Sequence, residues 1–225
     1  MALILNIETS TKNCSVSLSE NGELIAIKEL NDGNYSHAEK LHVFIQEVLD
    51  VTNKSFSDLE AVAVSKGPGS YTGLRIGVSA AKGLCFALDI PLISVNTLQG
   101  LAMQVQTENG YIIPMLDARR MEVYSAIFDV NFNAIREVQA QVLDEFSFER
   151  YLIEKPVYFI GDGVAKTKEL IKNSNANFIQ HKFPSAREMA SISNAKYLEN
   201  QFEDVAYFEP YYLKDFLVTP SKKKV

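Results

Sequence analysis

Residues 61–101 read AVAVSKGPGSYTGLRIGVSAAKGLCFALDIPLISVNTLQGL. Ala61 to Ser65 is a short apolar, β-branched run that predicts a buried strand, and Gly67-Pro68-Gly69 punctuates it with a tight loop. From Tyr71 the apolar residues fall at helical spacing through Leu88, with Pro91 as the stop, and Pro91 to Val95 predicts a further strand. Strand, glycine loop, long helix and strand follow one another with almost no filler, which sets an α/β fold.

Glycine amides at a helix N-terminus can present donors to a phosphate. Two stricter patterns are missing. Gly73 is followed by Leu74 and Arg75 rather than by a lysine and a hydroxyl residue, and Gly67, Gly69 and Gly73 do not have GxGxxG spacing. A purely structural turn and an anion site are thus both open at Gly67 and Gly69, with the turn favoured. The helix is apolar almost all round. Leu74, Val78, Ala81, Cys85 and Leu88 form one stripe and Ile76, Gly77, Ala80, Leu84 and Ala87 another, while Arg75, Ser79, Lys82, Phe86 and Asp89 share the narrow remainder. Such a helix needs cover on more than one side, from its own domain or from another chain, and its small residues allow close approach.

Outward from this stretch the chain reads as two similar halves. In the first, Leu3–Glu8, Ser15–Ser19 and Leu24–Leu30 are strand candidates, the last two joined at the hairpin signal Asn21-Gly22. Ser36-His37-Ala38-Glu39 has the form of a capping box and opens a helix with Leu41, Phe44, Ile45, Val48 and Leu49 on one face. In the second half, Ile112–Leu116, Glu122–Phe128, Ala134–Leu143 and Val157–Ile160 predict strands, with helices over about Asp144–Glu154 and Val164–Lys172. Gly161-Asp162-Gly163 predicts a strand-to-helix turn. An amphipathic helix over Ser185–Gln201 and the apolar run Pro210–Lys214 complete the chain. The expected division is 1–100 for the N-terminal lobe and 101–204 for the second, with 205–220 packing back on the first.

With 225 residues, 47% of them hydrophobic, the chain can bury one large core or two small ones. A formal charge of −6 argues against free-standing nucleic-acid affinity, and Lys222-Lys223-Lys224 is the one basic cluster. No apolar run spans a bilayer and the N-terminus opens on a strand, so a cytoplasmic protein with no membrane contact is expected. Cys14 and Cys85 read as reduced thiols. Of the three histidines, His37 and His42 are five apart on a helix and are expected on the surface, and His181 has no evident partner. Asp117, Arg119 and Arg120 form a charged knot that could hold an anion or a partner carboxylate, or be an internal salt-bridge corner.

Three motifs, ILNIETSTKNCSVSL at the start, GPGSYTGLRIGVSAAKGL and MLDARRMEVYSAIF, stand in an order that resembles the bacterial TsaB (YeaZ) family over most of the first 130 residues. More distantly the chain is similar to the TsaD family, the catalytic paralogue that makes N6-threonylcarbamoyladenosine at position 37 of ANN-decoding tRNAs. The resemblance implies a two-lobed actin-like, sugar-kinase and Hsp70 fold built from duplicated ribonuclease H-like βββαβα lobes. The paralogue's metal motif VNHMEGH is matched here by Val95-Asn96-Thr97-Leu98-Gln99-Gly100-Leu101, which puts Thr97 and Leu101 at the two ligand positions. Neither can replace an imidazole at an iron or zinc site. Its opening IETSCDET becomes Ile7-Glu8-Thr9-Ser10-Thr11-Lys12-Asn13-Cys14, without the acidic pair.

What the resemblance implies is a non-catalytic subunit that binds and activates a TsaD-like transferase. It would have no catalytic residue, metal or cofactor of its own, the ATP and the metal being used by partner subunits. Partners would include an accessory TsaE-like ATPase, tRNA mainly through the complex, and a second copy when the transferase is absent, with room for an adenine nucleotide at the shared interface. Partner contact is expected at Leu41 and Ile45 and at Arg75, Val78, Ser79, Lys82 and Phe86. Glu8 ends the first strand, where actin-like folds place a phosphate-proximal carboxylate, so Glu8, Gly67, Gly69 and Arg119 could mark a vestigial nucleotide or anion site; a solvated strand end is the plainer reading of Glu8. The alternative function is an autonomous ATP-dependent phosphotransferase or ATPase of the same superfamily, which needs an acid near Glu8 and a nucleotide between the lobes.

Overall fold

The computed structural model describes residues 2–33 and 36–214. The first half gives β1 (Leu3–Glu8), β2 (Cys14–Glu20), β3 (Glu23–Leu30), α1 (His37–Val51), β4 (Ala61–Gly67), α2 (Tyr71–Leu88), β5 (Leu92–Asn96) and α3 (Thr97–Ala102). The second gives β6 (Tyr111–Asp117), β7 (Glu122–Phe128), β8 (Ala134–Val142), α4 (Glu149–Leu152), β9 (Val157–Ile160), α5 (Val164–Leu170), β10 (Ala176–Ile179) and α6 (Ala186–Leu198). The sheets run β3-β2-β1-β4-β5 and β8-β7-β6-β9-β10. In each, the first strand pairs antiparallel with the second and parallel with the fourth, so the two lobes repeat one topology.

Alternation in the central strands explains the layers. Leu3, Leu5 and Ile7 of β1, Cys14, Val16 and Leu18 of β2, and Val62 and Val64 of β4 share a core with α1 and α2. The intervening positions, small or polar apart from Ile4, face α6, which packs on β1, β2, β3 and β5 of the first sheet. Here Ser17 Oγ donates to the Ala186 carbonyl at 2.7 Å, Ser15 Oγ accepts from Ala186 N at 3.0 Å, and Ser193 Oγ donates to Asn6 Oδ1 at 2.7 Å. The CSVSLSE pattern of β2 is therefore buried on both faces, one apolar and one hydrogen-bonded. The first sheet draws on residues from both ends of the chain.

Several local expectations change. Ser36 makes no side-chain cap on α1, because its hydroxyl donates to the Asp32 carboxylate at 3.3 Å; a capping box forms instead at Ser55 and Asp58, around the short 3-10 turn Phe56–Asp58. Helix α2 stops at Asp89 in the left-handed conformation (φ 54°), before Pro91 is reached. The helix expected over Asp144–Glu154 shrinks to α4, because Asp144 is tied into a turn by Ser147 Oγ at 2.8 Å and by Phe146 N at 3.1 Å. Strand β10, only four residues long and so too short to stand out in the sequence, completes the second sheet by pairing parallel with β9.

Residues 203–214 form a strap. Glu203 N donates to the Leu92 carbonyl at 2.8 Å and Tyr211 N to the Lys66 carbonyl at 2.7 Å, while Val205 and Phe208 pack on the first core. Lys214 at its end pairs with Glu122 of the second sheet. Residues 215–220 of the expected returning segment, and Lys222, Lys223 and Lys224, lie outside the described residues.

The glycines of α2 divide sharply by surroundings. A Cβ at Gly73 would lie 2.1 Å from the Thr9 carbonyl oxygen and one at Gly77 2.2 Å from Thr9 Oγ1, whereas Gly83 has nothing within 4 Å. Gly73→Ala is therefore expected to destabilise the chain by about 1–3 kcal/mol through overpacking. Gly83→Ala should stabilise it by roughly 0.5–1 kcal/mol through helix propensity. Urea unfolding of the two variants should move the midpoint in opposite directions.

Candidate functional site

The end of β1 and the glycine loop are built against each other. A Cβ at Gly69 would meet the Ser10 carbonyl oxygen at 2.4 Å, Ser70 N donates to that same oxygen at 2.6 Å, and Thr9 Oγ1 donates to the Gly73 carbonyl at 2.8 Å. Gly67, at φ 113°, faces the Tyr211 carbonyl 2.8 Å from where a Cβ would stand. Where a side chain would stand on these glycines, the chain's own backbone is already in place. The loop is a close-packing device.

Glu8 is not a solvated strand end: it is buried at 2% exposure, with Oε1 accepting from Ser10 N at 2.6 Å and Ser65 Oγ at 2.9 Å. Burial pushes its carboxyl above the ordinary glutamate range, against the pull of these hydrogen bonds. The acid thus ties the turn after β1 to β4. Arg119 stands elsewhere, exposed on the β6–β7 hairpin at φ 69°, with Arg120 beside it at φ 50°. Asp117 pairs with Lys166 at 2.9 Å and accepts from Arg119 N at 2.6 Å, so the charged knot is a salt-bridge corner whose cation is Lys166; neither guanidinium forms a salt bridge among the described residues. At the neighbouring turn a Cβ on Gly161 would lie 2.2 Å from the Met115 carbonyl oxygen, which makes Gly161-Asp162-Gly163 a packed turn.

The two positions that align with metal ligands are closed. Thr97 and Leu101 are 2% and 0% exposed, and Leu101 belongs to the core between α3 and the second sheet. Among the described residues no three His, Cys, Asp or Glu side chains are grouped to hold a metal. The residues present do not fit the paralogue's metal. His37 is buried rather than on the surface, its Nε2 is 2.7 Å from the Thr11 carbonyl oxygen, and burial holds its pKa below the ordinary value. Cys14 and Cys85 are free and buried, their thiols pushed up to about 11 by desolvation.

A groove of about 700 Å³ runs between α1 and α2, with Ala38 and His42 on one wall and Arg75, Ile76, Ser79 and Gly83 on the other. Phe86, one turn beyond Gly83 on the same side of α2, is 85% exposed. Of the expected contact residues, Arg75, Ser79 and Phe86 are exposed on this side. Leu41, Ile45 and Val78 are not: they are 0, 2 and 4% exposed, because the apolar face of each helix is spent on the first core. Lys82 is half-buried, its ammonium donating to the Phe208 and Ala206 carbonyls at 2.9 and 3.1 Å and so holding the strap. Ala38 and His42, which periodicity passes over as non-core positions, are the exposed residues of α1 here. The strap extends the same surface: Tyr212 packs its ring 4.9 Å from that of Tyr71, and Tyr71 accepts from Arg75 at 2.6 Å.

The family model described as TsaD, tRNA N6-adenosine threonylcarbamoyltransferase, matches residues 32–220. The tRNA threonylcarbamoyladenosine biosynthesis protein TsaB of Escherichia coli (strain K12) is 31% identical over 220 residues, covering 94% of this chain and 94% of that protein. The protein of the same description from Bacillus subtilis (strain 168) is 30% identical, covering 94% and 93%. A crystallised YeaZ from Pseudomonas aeruginosa superposes with a TM-score of 0.80 at 24% identity over 95% of this chain and all of that one, which bears on the fold alone. The architecture is the two-lobed actin-like one, and no described helix is long and apolar enough to cross a membrane.

The buried Glu8 sets a pH dependence. Unfolded, the carboxyl titrates near 4.5; folded, its pKa is raised, so its contribution to stability is present below 4.5 and is lost as pH rises through the folded value. Glu8→Gln removes that term. Its urea midpoint is expected to exceed the parent's at neutral pH and to converge with it in acid, whereas parallel profiles would mean that Glu8 ionises without penalty.

Proposed function

The chain belongs to the TsaB family of tRNA threonylcarbamoyladenosine biosynthesis proteins, and on that premise we propose that it is a non-catalytic subunit that binds and activates a TsaD-like threonylcarbamoyltransferase. The product would be N6-threonylcarbamoyladenosine at position 37 of ANN-decoding tRNAs. The observation that carries this reading is the contrast between two places on the first lobe. The glycine loop is packed tightly against Thr9 and Ser10, whereas the α1–α2 groove, where a helical partner could dock, is open and largely apolar. Closed ligand positions at Thr97 and Leu101 support the same assignment. They also disfavour an autonomous ATPase, since Glu8 already holds Ser10 and Ser65.

In this proposal the transferase supplies the metal and the chemistry, and a TsaE-like ATPase supplies ATP turnover. An adenine nucleotide, if one is shared, sits where this chain meets its partners. The net charge of −6 leaves tRNA contact mainly to the complex, in the cytoplasm. The chain's part is to present Arg75, Ser79, Phe86 and His42 as one surface. In the absence of the transferase the same surface would pair two copies isologously, and the homodimer would compete with the heterodimer.

Reconstitution of the modification with and without this chain tests the role. Product should depend on the chain and should not form when it replaces the transferase; full activity without it would sink the proposal. Ser79→Ala should leave co-purification with the transferase intact, whereas Ser79→Glu, which puts a charge into an apolar groove, should abolish it with the isolated fold unchanged by circular dichroism. Light scattering of the chain alone should report a dimer that Ser79→Glu converts to monomer.

A further inference from the structure

A second cavity, of about 260 Å³, lies between the lobes and contains none of Glu8, Gly67, Gly69 or Arg119. The first lobe contributes Lys66 at the end of β4, Asn96 and Gln99 at the start of α3, and Lys196 from α6. From the second come Ala126 and Phe128 of β7, Phe132, and Ala134 and Val138 of β8, an apolar wall at the strand ends remote from the β6–β7 hairpin. Arg136 lines it too, but its guanidinium turns to the other face of the sheet, donating to Ser125 Oγ at 2.6 Å and Gln141 Oε1 at 2.7 Å and stacking on Phe148. Glu137, exposed, is the carboxylate at the rim.

The polar groups of this cavity are mostly donors. Asn96 Oδ1 accepts from Leu98 N at 2.9 Å and from Gln99 N at 3.4 Å, which fixes the carboxamide and leaves its NH₂ as the outward group. Lys196 spends part of its donor capacity on the Ser94 carbonyl at 2.8 Å. The Lys66 ammonium makes no hydrogen bond or salt bridge among the described residues. Burial first, and then the charge of Lys66, hold the Lys196 pKa below the ordinary lysine value, while Glu203 opposes them. Two cations are thus held at one cavity whose lining carries one carboxylate, Glu137 at the rim, with Glu203 near Lys196 outside the lining, an arrangement that favours an anion.

We propose that this cavity binds a small phosphate-bearing anion between Lys66, Lys196 and the Asn96 and Gln99 carboxamides. Two ammonium groups match the double charge of a phosphate, and its several oxygens match the converging donors better than a carboxylate would. The volume is below the roughly 300–1,000 Å³ of sites for drug-sized ligands, which favours a phosphate or a small ester over a nucleoside triphosphate. Phe128 and Phe132 give an ester's organic part an apolar wall. The site is separate from the α1–α2 groove, so it stands or falls independently of the partner assignment.

The full chain should be titrated by calorimetry at low ionic strength with inorganic phosphate and, in parallel, with phenyl phosphate. One saturable site is expected, weakened about tenfold or more in Lys66→Ala, the size of one charge-assisted hydrogen bond, and largely retained in Lys66→Arg. Lys66→Ala loses no described side-chain bond, so an unchanged unfolding midpoint will separate lost binding from lost structure. Lys196→Met provides the second cation's test and should weaken binding likewise. Tighter binding of phenyl phosphate would identify an ester as the ligand, and equal binding the free ion; both support the site. Titrations that fail to saturate, or that saturate equally in parent and Lys66→Ala, overturn it.

Discussion

The contact between the end of β1 and the glycine-rich start of α2 is the constraint on which the rest of the first lobe depends. Thr9 and Ser10 approach so closely that side chains at Gly69, Gly73 and Gly77 would overlap them. That approach seats α2 on the first sheet and fixes its angle to α1. With α2 seated, Leu74, Val78, Ala81 and Cys85 are buried and the opposite side is left bare. One contact therefore packs the glycine loop against the end of β1 and leaves a groove beside α2, so both features of the first lobe have a common physical cause.

Much of this was legible in the sequence. The short apolar, β-branched run located β4, strands were expected at β1, β2 and β7, and the Asn21-Gly22 signal marked a turn in which both residues take positive φ, at 54° and 85°. Failure came where helix faces were assigned a destination. Leu41, Ile45 and Val78 were read as partner contacts, but a helix on a sheet turns its most apolar stripe inward, so the outward residues are the mixed ones, His42, Val43, Ser79 and Arg75. Glu8 and His37 were misjudged for another reason. Charged or titratable residues look exposed in a sequence unless their buried partners are known, and those partners, the Ser10 amide, Ser65 and the Thr11 carbonyl, become visible only in three dimensions.

The second lobe repeats the first in strand order but not in helix length. Its counterparts of α1 and α2 are 4 and 7 residues long against 15 and 18. Short helices cover less of a sheet, and aromatic side chains fill the difference, with Phe159 between Phe148 and Phe178 at ring distances of 5.5 and 5.3 Å. The lobe retains a core and loses an extended helical surface.

The strap has a consequence for the colloidal behaviour of the chain. Strand β5 is one of the two outer strands of the first sheet, and an uncovered outer strand is a template for pairing with other chains. Glu203 occupies part of it through an antiparallel bridge to Leu92, and Lys82 pins the following residues down by their carbonyls. The strap thus takes up hydrogen-bonding groups that strand-to-strand growth of aggregates along that edge would need.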